Sequence, residues 1–426
     1  MKDVELKVPE QQDLIFELKK AERELRLIDD QNRPLAKLAL TIQLYYLDGA
    51  TAESKRKALE IIAQFKQKYA SHLKAQFTQN NRGFVKFNEK NYQNFLKKAE
   101  QNIQANDDLF TYYLSSDEDG EFADDYVLEF FTAYPDSESA TDQKLKLSYA
   151  SLTLPLSTIE TKEGLEEYQQ WIHLFIHSFS VFHGYAGLTL KTPYDRHPFQ
   201  SYEYDITHKY WGITPDGGAF SKHEWQTGLR SISWQTFIGA RLKDKVIQQP
   251  YYQETLKNYP DVKNSEINGC LILQAGDIPR LANVKEPLPL SYVVVNQLCR
   301  IIMTKKPLGP LHTGSQGPLY SYTQTYYWLH RWNNDNFEKG IFNPQGKKQE
   351  LLHVLGESGY DHQPVPYSGM WKPFDFEGLS QHLTVGQEFP EEAKYIRKSG
   401  RISSKNAVWC LEKRDDHGPV LLPNPF

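Results

Sequence analysis

The sequence has few of the features that mark a secreted or membrane protein. Its three cysteines, Cys270, Cys299 and Cys410, are odd in number, far apart and not in a CxxC pattern. This usage excludes a disulfide framework and is typical of a reduced, cytosolic protein. The opening residues, MKDVELKVPE, lack the apolar stretch of a signal peptide. No apolar run approaches the ~18 residues that a membrane helix needs. We therefore predict a soluble, cytoplasmic protein that does not bind membranes.

Sequence signatures of catalysis are missing as well. The chain has no Walker A loop, no GxGxxG and no GxSxG. The stretch HTGSQGPLY (312–320) contains glycine, but a single such loop is weak evidence for a phosphate site. The three cysteines lie in apolar contexts, which favours core positions over nucleophiles. These observations predict that the protein is not an enzyme and holds no cofactor.

Two histidines raise the question of a metal site. His173 and His177 are four residues apart on a predicted helix (161–179), a spacing that can bind one metal ion. They share one helical face with two other polar residues, Glu166 and Gln170, opposite an apolar stripe. The glutamate of an HExxH motif is absent between them. The pattern therefore predicts a solvated polar stripe without a bound metal.

One segment lacks positive charge altogether. Residues 106–143 hold twelve of the 54 acidic residues and no Lys or Arg, so the rest of the chain has 49 basic against 42 acidic residues. The densest part, SSDEDGEFADDY (115–126), does not keep the ligand spacing of a calcium loop. It is interpreted either as a solvated loop or as a surface that faces a basic partner.

The candidate partner-binding residues of this acidic segment are Asp117, Glu118, Asp119, Glu121, Asp124 and Asp125. The alternative is an aromatic-rich segment, TPYDRHPFQSYEY (192–204), which could supply the interface instead. The net charge of −5 argues against direct binding of nucleic acid.

Hydrophobic periodicity predicts helices and strands in irregular alternation. Helices are expected over residues 9–28, after a Thr51 cap, over 161–179 and over 289–303; strands are expected over 38–46, 144–156, 184–190 and 269–277, and from 231 a strand that runs into a loop or helix by 242. This mixture favours an α+β fold, with mixed β-sheets flanked by helices and built from strand-helix units. We expect an N-terminal helix (1–30), an α+β core (31–345) and a smaller β-rich C-terminal appendage (346–426).

Six sequence segments together resemble a known protein family in their order along the chain: LTIQLYYLDGATAESKRKALEIIAQFKQKYASHLKAQF, FHGYAGLTL, HKYWGI, SISWQTFIGARL, LILQAGDIP and TYYWLHRW. Their order and spacing resemble the TsiV-type type VI immunity proteins, over about residues 38–345. The segment from SGMWKP to VGQEFPEEA is similar to the tails of other polymorphic-toxin immunity proteins.

The resemblance implies an immunity protein that binds a type VI toxin, often a nuclease of the VRR-NUC type, and blocks it stoichiometrically. A nuclease cleft is basic because it holds phosphates, so the acidic segment is expected to engage it. The resemblance does not supply contact residues. Two alternatives stay open: an enzyme that reverses a toxin's modification, and an adaptor for toxin loading.

Overall fold

The structure is a computed structural model. It describes the chain except for residues 1–3, 6–8, 79–80, 105–109, 133–146, 217–227, 305–309, 315–316, 334–354, 358–362, 374–378, 398–399, 406, 419 and 421–426. Five carboxylates of the acidic segment lie outside the described residues: Asp107, Asp108, Asp136, Glu138 and Asp142.

The helices are α1 (Gln11–Glu24), α2 (Ala52–Tyr69), α3 (Glu89–Gln104), α4 (Lys162–Ser178), α5 (Gln200–Lys209), α6 (Ala240–Ile247), α7 (Tyr252–Asn258), α8 (Leu290–Cys299) and α9 (Tyr322–Leu329). The strands are β1 (Val4–Glu5), β2 (Leu27–Ile28), β3 (Pro34–Tyr46), β4 (Ala75–Thr78), β5 (Val85–Lys86), β6 (Thr111–Ser115), β7 (Val127–Phe131), β8 (Ser148–Pro155), β9 (Val181–Lys191), β10 (Ile213–Thr214), β11 (Gln235–Ile238), β12 (Val262–Ile267), β13 (Cys270–Ala275), β14 (Leu288–Pro289), β15 (Leu355–Glu357), β16 (Gly369–Pro373), β17 (Gln381–Leu383), β18 (Glu392–Arg397), β19 (Gly400–Lys405) and β20 (Val408–Arg414).

A twelve-stranded sheet organises most of the chain, with the order β12-β13-β11-β9-β3-β8-β7-β6-β4-β5 and with β10 and β2 pairing to β9 and β3. Its neighbours are antiparallel except for β10, which runs parallel to β9. The two long central strands, β3 and β9, pair from Lys37 opposite Lys191 to Tyr46 opposite Val181. The α+β class with a mixed sheet is therefore confirmed.

The two faces of the central strand β3 differ in chemistry. On one face Leu40, Ile42 and Leu44 are fully buried in the core that α2 and α4 complete. On the other face Thr41 and Gln43 are also buried, although they are polar. The alternation of apolar and more polar residues over 38–46 predicts a half-buried strand, and that prediction is wrong because both faces are buried. The polar face is covered by later parts of the chain that satisfy its hydrogen bonds.

Most of the predicted elements are confirmed, with shifted ends. Thr51 caps α2 by accepting the amide of Ser54, and Thr161 caps α4 in the same way through Gly164. The first helix ends at Glu24, because the chain then turns into the short strand β2, so the prediction of helix to residue 28 is wrong at its end. The strand predicted from 231 is β11, and it leads directly into α6.

The C-terminal residues are β-rich, as expected. Strands β15, β20, β16 and β17 form a four-stranded sheet, and β18 and β19 form a hairpin. They have a hydrophobic cluster of their own, which consists of Val365, Trp371, Leu383, Phe389, Ala407, Trp409 and Leu411. The domain boundaries at 30 and 345 stay predictions.

Candidate functional site

The acidic residues 117–125 lie in the connection between β6 and β7, which we call the acidic loop (residues 116–126). The loop folds on itself through Asp117. The Asp117 Oδ2 accepts the amides of Gly120 at 2.8 Å and Phe122 at 3.3 Å, and the Asp117 amide donates to the Ser115 hydroxyl oxygen at 2.8 Å. These bonds fix the backbone that carries the exposed carboxylates.

Neighbouring segments anchor the same loop from outside. The Ala123 amide donates to the Pro34 carbonyl at 2.8 Å, and the Tyr194 amide donates to the Gly120 carbonyl at 2.9 Å. Gly120 has φ +80°, and a Cβ there would lie 2.5 Å from the Phe84 ring. Only glycine fits both this backbone conformation and this close approach. The acidic loop is therefore held in one conformation.

Asp124 is part of the scaffold. Its side chain is 3% exposed, and its Oδ2 accepts hydrogen bonds from the hydroxyls of Ser115 at 2.6 Å and Tyr113 at 3.3 Å. Burial raises the pKa of the Asp124 carboxyl to about 6, against the pull of the Lys191 ammonium. A buried carboxylate of this kind cannot contact a partner. It ties the end of the acidic loop to β6.

The remaining carboxylates are exposed to solvent, and neighbouring cations neutralise them to different degrees. Asp125 is exposed but pairs with Lys37 at 2.5 Å, and Glu118 lies 3.7 Å from the Lys74 ammonium. Asp119 and Glu121 are also exposed, and within the described ranges no Lys or Arg forms an ion pair with either. The negative surface of the loop is therefore carried mainly by Glu118, Asp119 and Glu121.

An aromatic cluster lies against the acidic loop. The Tyr194 ring packs on the rings of Phe84, Phe77 and Tyr113 at centroid distances of 5.1, 5.7 and 5.0 Å. Tyr113 is buried, whereas Phe77, Phe84 and Tyr194 are half-buried and keep some surface in solvent. Because Tyr194 belongs to the segment 192–204, the structure brings together the two candidate interfaces that the sequence offered as alternatives.

A buried polar network ties the chain after β10 to the sheet. The Arg230 guanidinium is fully buried and donates to the Gln43 side chain at 2.9 Å, the Tyr45 hydroxyl at 3.1 Å, the Tyr185 hydroxyl at 2.6 Å and the Pro215 carbonyl at 2.8 Å. It thereby joins the polar faces of β3 and β9 to the chain after β10. Sequence reasoning missed Arg230, although the polar residues alternating along β3 were a signal that something polar covers them.

Arg196 makes a similar connection nearer the acidic loop. Its guanidinium lies 3.4 Å from the Asp216 carboxylate and 3.9 Å from that of Glu129 on β7. Burial opposes its charge, but the carboxylates of Asp216 and Glu129 outweigh this and raise the pKa of Arg196. This arginine fixes the chain two residues after Tyr194, so the aromatic cluster has a defined position relative to the sheet.

The other candidate residues do not form a site within the part of the chain that the structure describes. His173, His177, Glu166 and Gln170 are all exposed on the outer face of α4, as predicted. The three cysteines are buried free thiols, and burial raises the pKa of Cys270 to about 12. Among the described residues, no group of three or more His, Cys, Asp or Glu side chains is placed to hold a metal ion. In the same residues, no helix has the length and apolar character needed to cross a bilayer.

A family model described as type VI immunity for VRR-NUC matches residues 57–332. The chain belongs to this family, TsiV. The matched region runs from α2 to beyond α9 and includes the acidic loop, the aromatic cluster and Arg230. The resemblance of the sequence segments is thereby confirmed.

The fold of this TsiV-family chain is similar to that of a solved structure, the Pseudomonas aeruginosa T6SS protein PA0821. The two have a TM-score of 0.64 and 17% sequence identity, over 79% of this chain and 94% of the other. At this identity the likeness concerns the fold alone. No curated protein matches the chain in sequence.

Proposed function

We propose that this chain is a cytoplasmic immunity protein that binds its cognate type VI toxin, a nuclease of the VRR-NUC type, and neutralises it by occlusion rather than by catalysis. Membership of the TsiV family supports the immunity role. The observation that carries the mode of binding is the acidic loop, because its conformation is fixed and four of its carboxylates, those of Glu118, Asp119, Glu121 and Asp125, are exposed.

Charge complementarity supports a contact with the toxin's active-site cleft. A nuclease cleft must hold phosphates and is therefore basic. Glu118, Asp119 and Glu121 present the opposite charge on a preformed loop, which accelerates association and reduces the entropy lost on binding. Of the six candidate residues, we propose that these three and Asp125 contact the toxin, while Asp117 and Asp124 position them.

The neighbouring aromatic cluster supplies the apolar part of the same surface. Partly exposed aromatic rings beside charged residues are typical of interface centres, where they contribute most of the binding energy. Phe77, Phe84 and Tyr194 fit this description, because each ring packs against the others and keeps an exposed portion. We propose that the acidic loop guides the encounter and that the rings slow dissociation.

The direct test is co-expression with the cognate VRR-NUC toxin domain that this proposal requires. We expect rescue of growth and a stable stoichiometric complex with a Kd near ~1 nM, or ~12 kcal/mol. Rescue at strongly substoichiometric protein without a complex would replace occlusion by an enzymatic reversal of the toxin's effect.

The contribution of the acidic loop is tested by changing Glu118→Gln, Asp119→Asn and Glu121→Gln together. The matched control removes three exposed carboxylates elsewhere on helices: Glu60→Gln, Glu163→Gln and Glu166→Gln. We expect the loop variant to associate roughly tenfold more slowly at low salt and the control to change little, because nearby charges dominate steering. The difference should shrink as salt is raised, since the screening length falls to ~3 Å at 1 M. Equal rates for the two variants at low salt would remove the loop from the interface.

A further inference from the structure

A cleft lies on the face of β4 opposite the aromatic cluster, because Gln76 and Thr78 line it whereas Phe77 belongs to the cluster. It is formed between α3 and the short strands β4 and β5, and its volume is about 190 Å³. Its lining is rich in amides, with apolar residues beneath, and comprises Gln76, Thr78, Asn81, Val85, Asn91, Asn94, Phe95, Lys98, Ala99, Asn102 and Phe110.

The polar lining of this amide cleft is nearly uncharged. Five of its residues are Asn or Gln, Lys98 is its one cation in the described part of the chain, and no carboxylate lines it there. Two of the amides are held in place. The Gln76 Oε1 accepts the Tyr112 hydroxyl at 3.0 Å, and the Asn91 Nδ2 donates to the Lys86 carbonyl at 2.8 Å. These bonds use one end of each amide and leave its other end for a ligand.

The aromatic residues of the cleft do not suit a base or a sugar. Recognition of single-stranded bases depends on an open ring face for stacking. The Phe95 ring is already stacked on Tyr112 at a centroid distance of 4.0 Å, and it lies 6.0 Å from the Phe110 ring. The Phe95 ring therefore packs in the core. The cleft offers amide hydrogen bonds above an apolar base instead of a ring on which a nucleic-acid base could stack.

The length and position of the cleft match an extended polypeptide main chain. The amides follow one face of α3 from Asn91 to Asn102, which is ~16 Å at 1.5 Å per residue and equals about five residues of extended chain. On the other side lies β5, the last strand of the sheet as the structure describes it, which pairs with β4 through Val85 and Lys86. An amide side chain can both donate to a main-chain carbonyl and accept a main-chain N–H.

We infer that the amide cleft binds an extended, uncharged main-chain segment of the toxin, as a second contact beside the acidic loop. The inference rests on the proposed function, since it takes the toxin as the ligand. Because the two contacts flank one sheet edge, the edge would insert between two parts of the toxin. The cleft contact should act on dissociation and be insensitive to salt, in contrast to the acidic loop.

The test fills the cleft with Asn94→Trp, at an exposed position of α3, and measures the release of the cognate VRR-NUC domain. The control is Gln101→Trp, an exposed residue of α3 outside the cleft. We expect Asn94→Trp to accelerate dissociation about tenfold at every salt concentration, and the control to change it less than about twofold. Equal unfolding midpoints establish that both variants are folded.

The outcomes separate the two proposals. If the wild-type chain forms no complex, the proposed function fails. If the complex forms and the acidic-loop variant associates slowly, but Asn94→Trp and Gln101→Trp dissociate alike, the amide cleft alone is overturned. Hydrogen exchange gives a second measurement: in the complex the amides of β5 and α3 should be protected, and unchanged exchange there would also overturn the inference.

Discussion

Replacing Asp124 by Asn should stabilise the protein at neutral pH. The Asp124 carboxyl is buried between β6 and the end of the acidic loop, where water cannot solvate its charge. An Asn side chain has nearly the same shape, and its oxygen can still accept the Ser115 hydroxyl. The substitution therefore removes a poorly solvated charge and keeps the hydrogen bond that anchors the loop.

The magnitude follows from the pKa of this carboxyl. Burial raises it from 3.8 to about 6, and each pKa unit corresponds to ~1.4 kcal/mol. A carboxyl whose pKa is raised binds its proton more tightly in the folded state. The stability that this proton contributes is therefore complete below pH 3.8 and is lost as the pH rises through 6. The wild type should therefore lose about 1 kcal/mol of unfolding free energy between pH 5 and pH 7, and about 3 kcal/mol over the whole titration.

The assay is denaturant unfolding of the wild type and Asp124→Asn at pH 5, 6 and 7. We expect the variant to be more stable at pH 7 by up to ~3 kcal/mol, with an advantage smaller by about 1 kcal/mol at pH 5. Asp119→Asn is the control, because Asp119 is exposed in the same loop. If the stability difference between the variant and the wild type does not depend on pH, Asp124 does not titrate as a buried group and the reasoning is refuted.

Three further variants test the loop geometry, the buried Arg230 network and the histidine pair. Gly120→Ala should lower the unfolding free energy by about 1–3 kcal/mol and slow toxin association, because φ is +80° and the Cβ would meet Phe84; unchanged stability would contradict the loop geometry. Arg230→Leu should lower the free energy of unfolding by about 3–5 kcal/mol, because the buried polar groups that Arg230 pairs would lose their partner. Limited proteolysis should then cut the segment 192–216 faster. A cleavage rate equal to that of the wild type would mean that Arg230 does not hold this segment. Replacing His173 and His177 together by Gln should change stability by less than ~0.5 kcal/mol; stoichiometric zinc that elemental analysis finds in the wild type and not in this variant would be evidence of a metal site.

The regular elements could be predicted from local signals. Helix α4 follows from the Thr161 cap and from an apolar stripe at helical spacing, and both act within a few residues. The end of α1 could not be predicted in this way. Its apolar spacing continues to Leu25, but the following Leu27 and Ile28 pair with β3, and this tertiary contact overrides the local periodicity.

The roles of the individual carboxylates could not be predicted. Asp119 and Asp124 are five residues apart in a stretch of similar composition, yet one is exposed and the other is buried. The difference depends on distant residues: Lys191 on β9 lies close enough to act on the charge of Asp124. Only the pairing of β9 with β3, of β3 with β8, and of β8 with β7 brings these positions together.

The number of acidic residues in the loop overstates the negative surface charge that a binding partner would contact. Asp117 and Asp124 bind the loop to itself and to β6, and Asp125 is paired with Lys37. Steering should therefore depend on the three other exposed carboxylates, those of Glu118, Asp119 and Glu121. For the same reason, a relative with fewer acids in this loop could keep the same surface charge, provided that it lost only the residues that hold the loop in place.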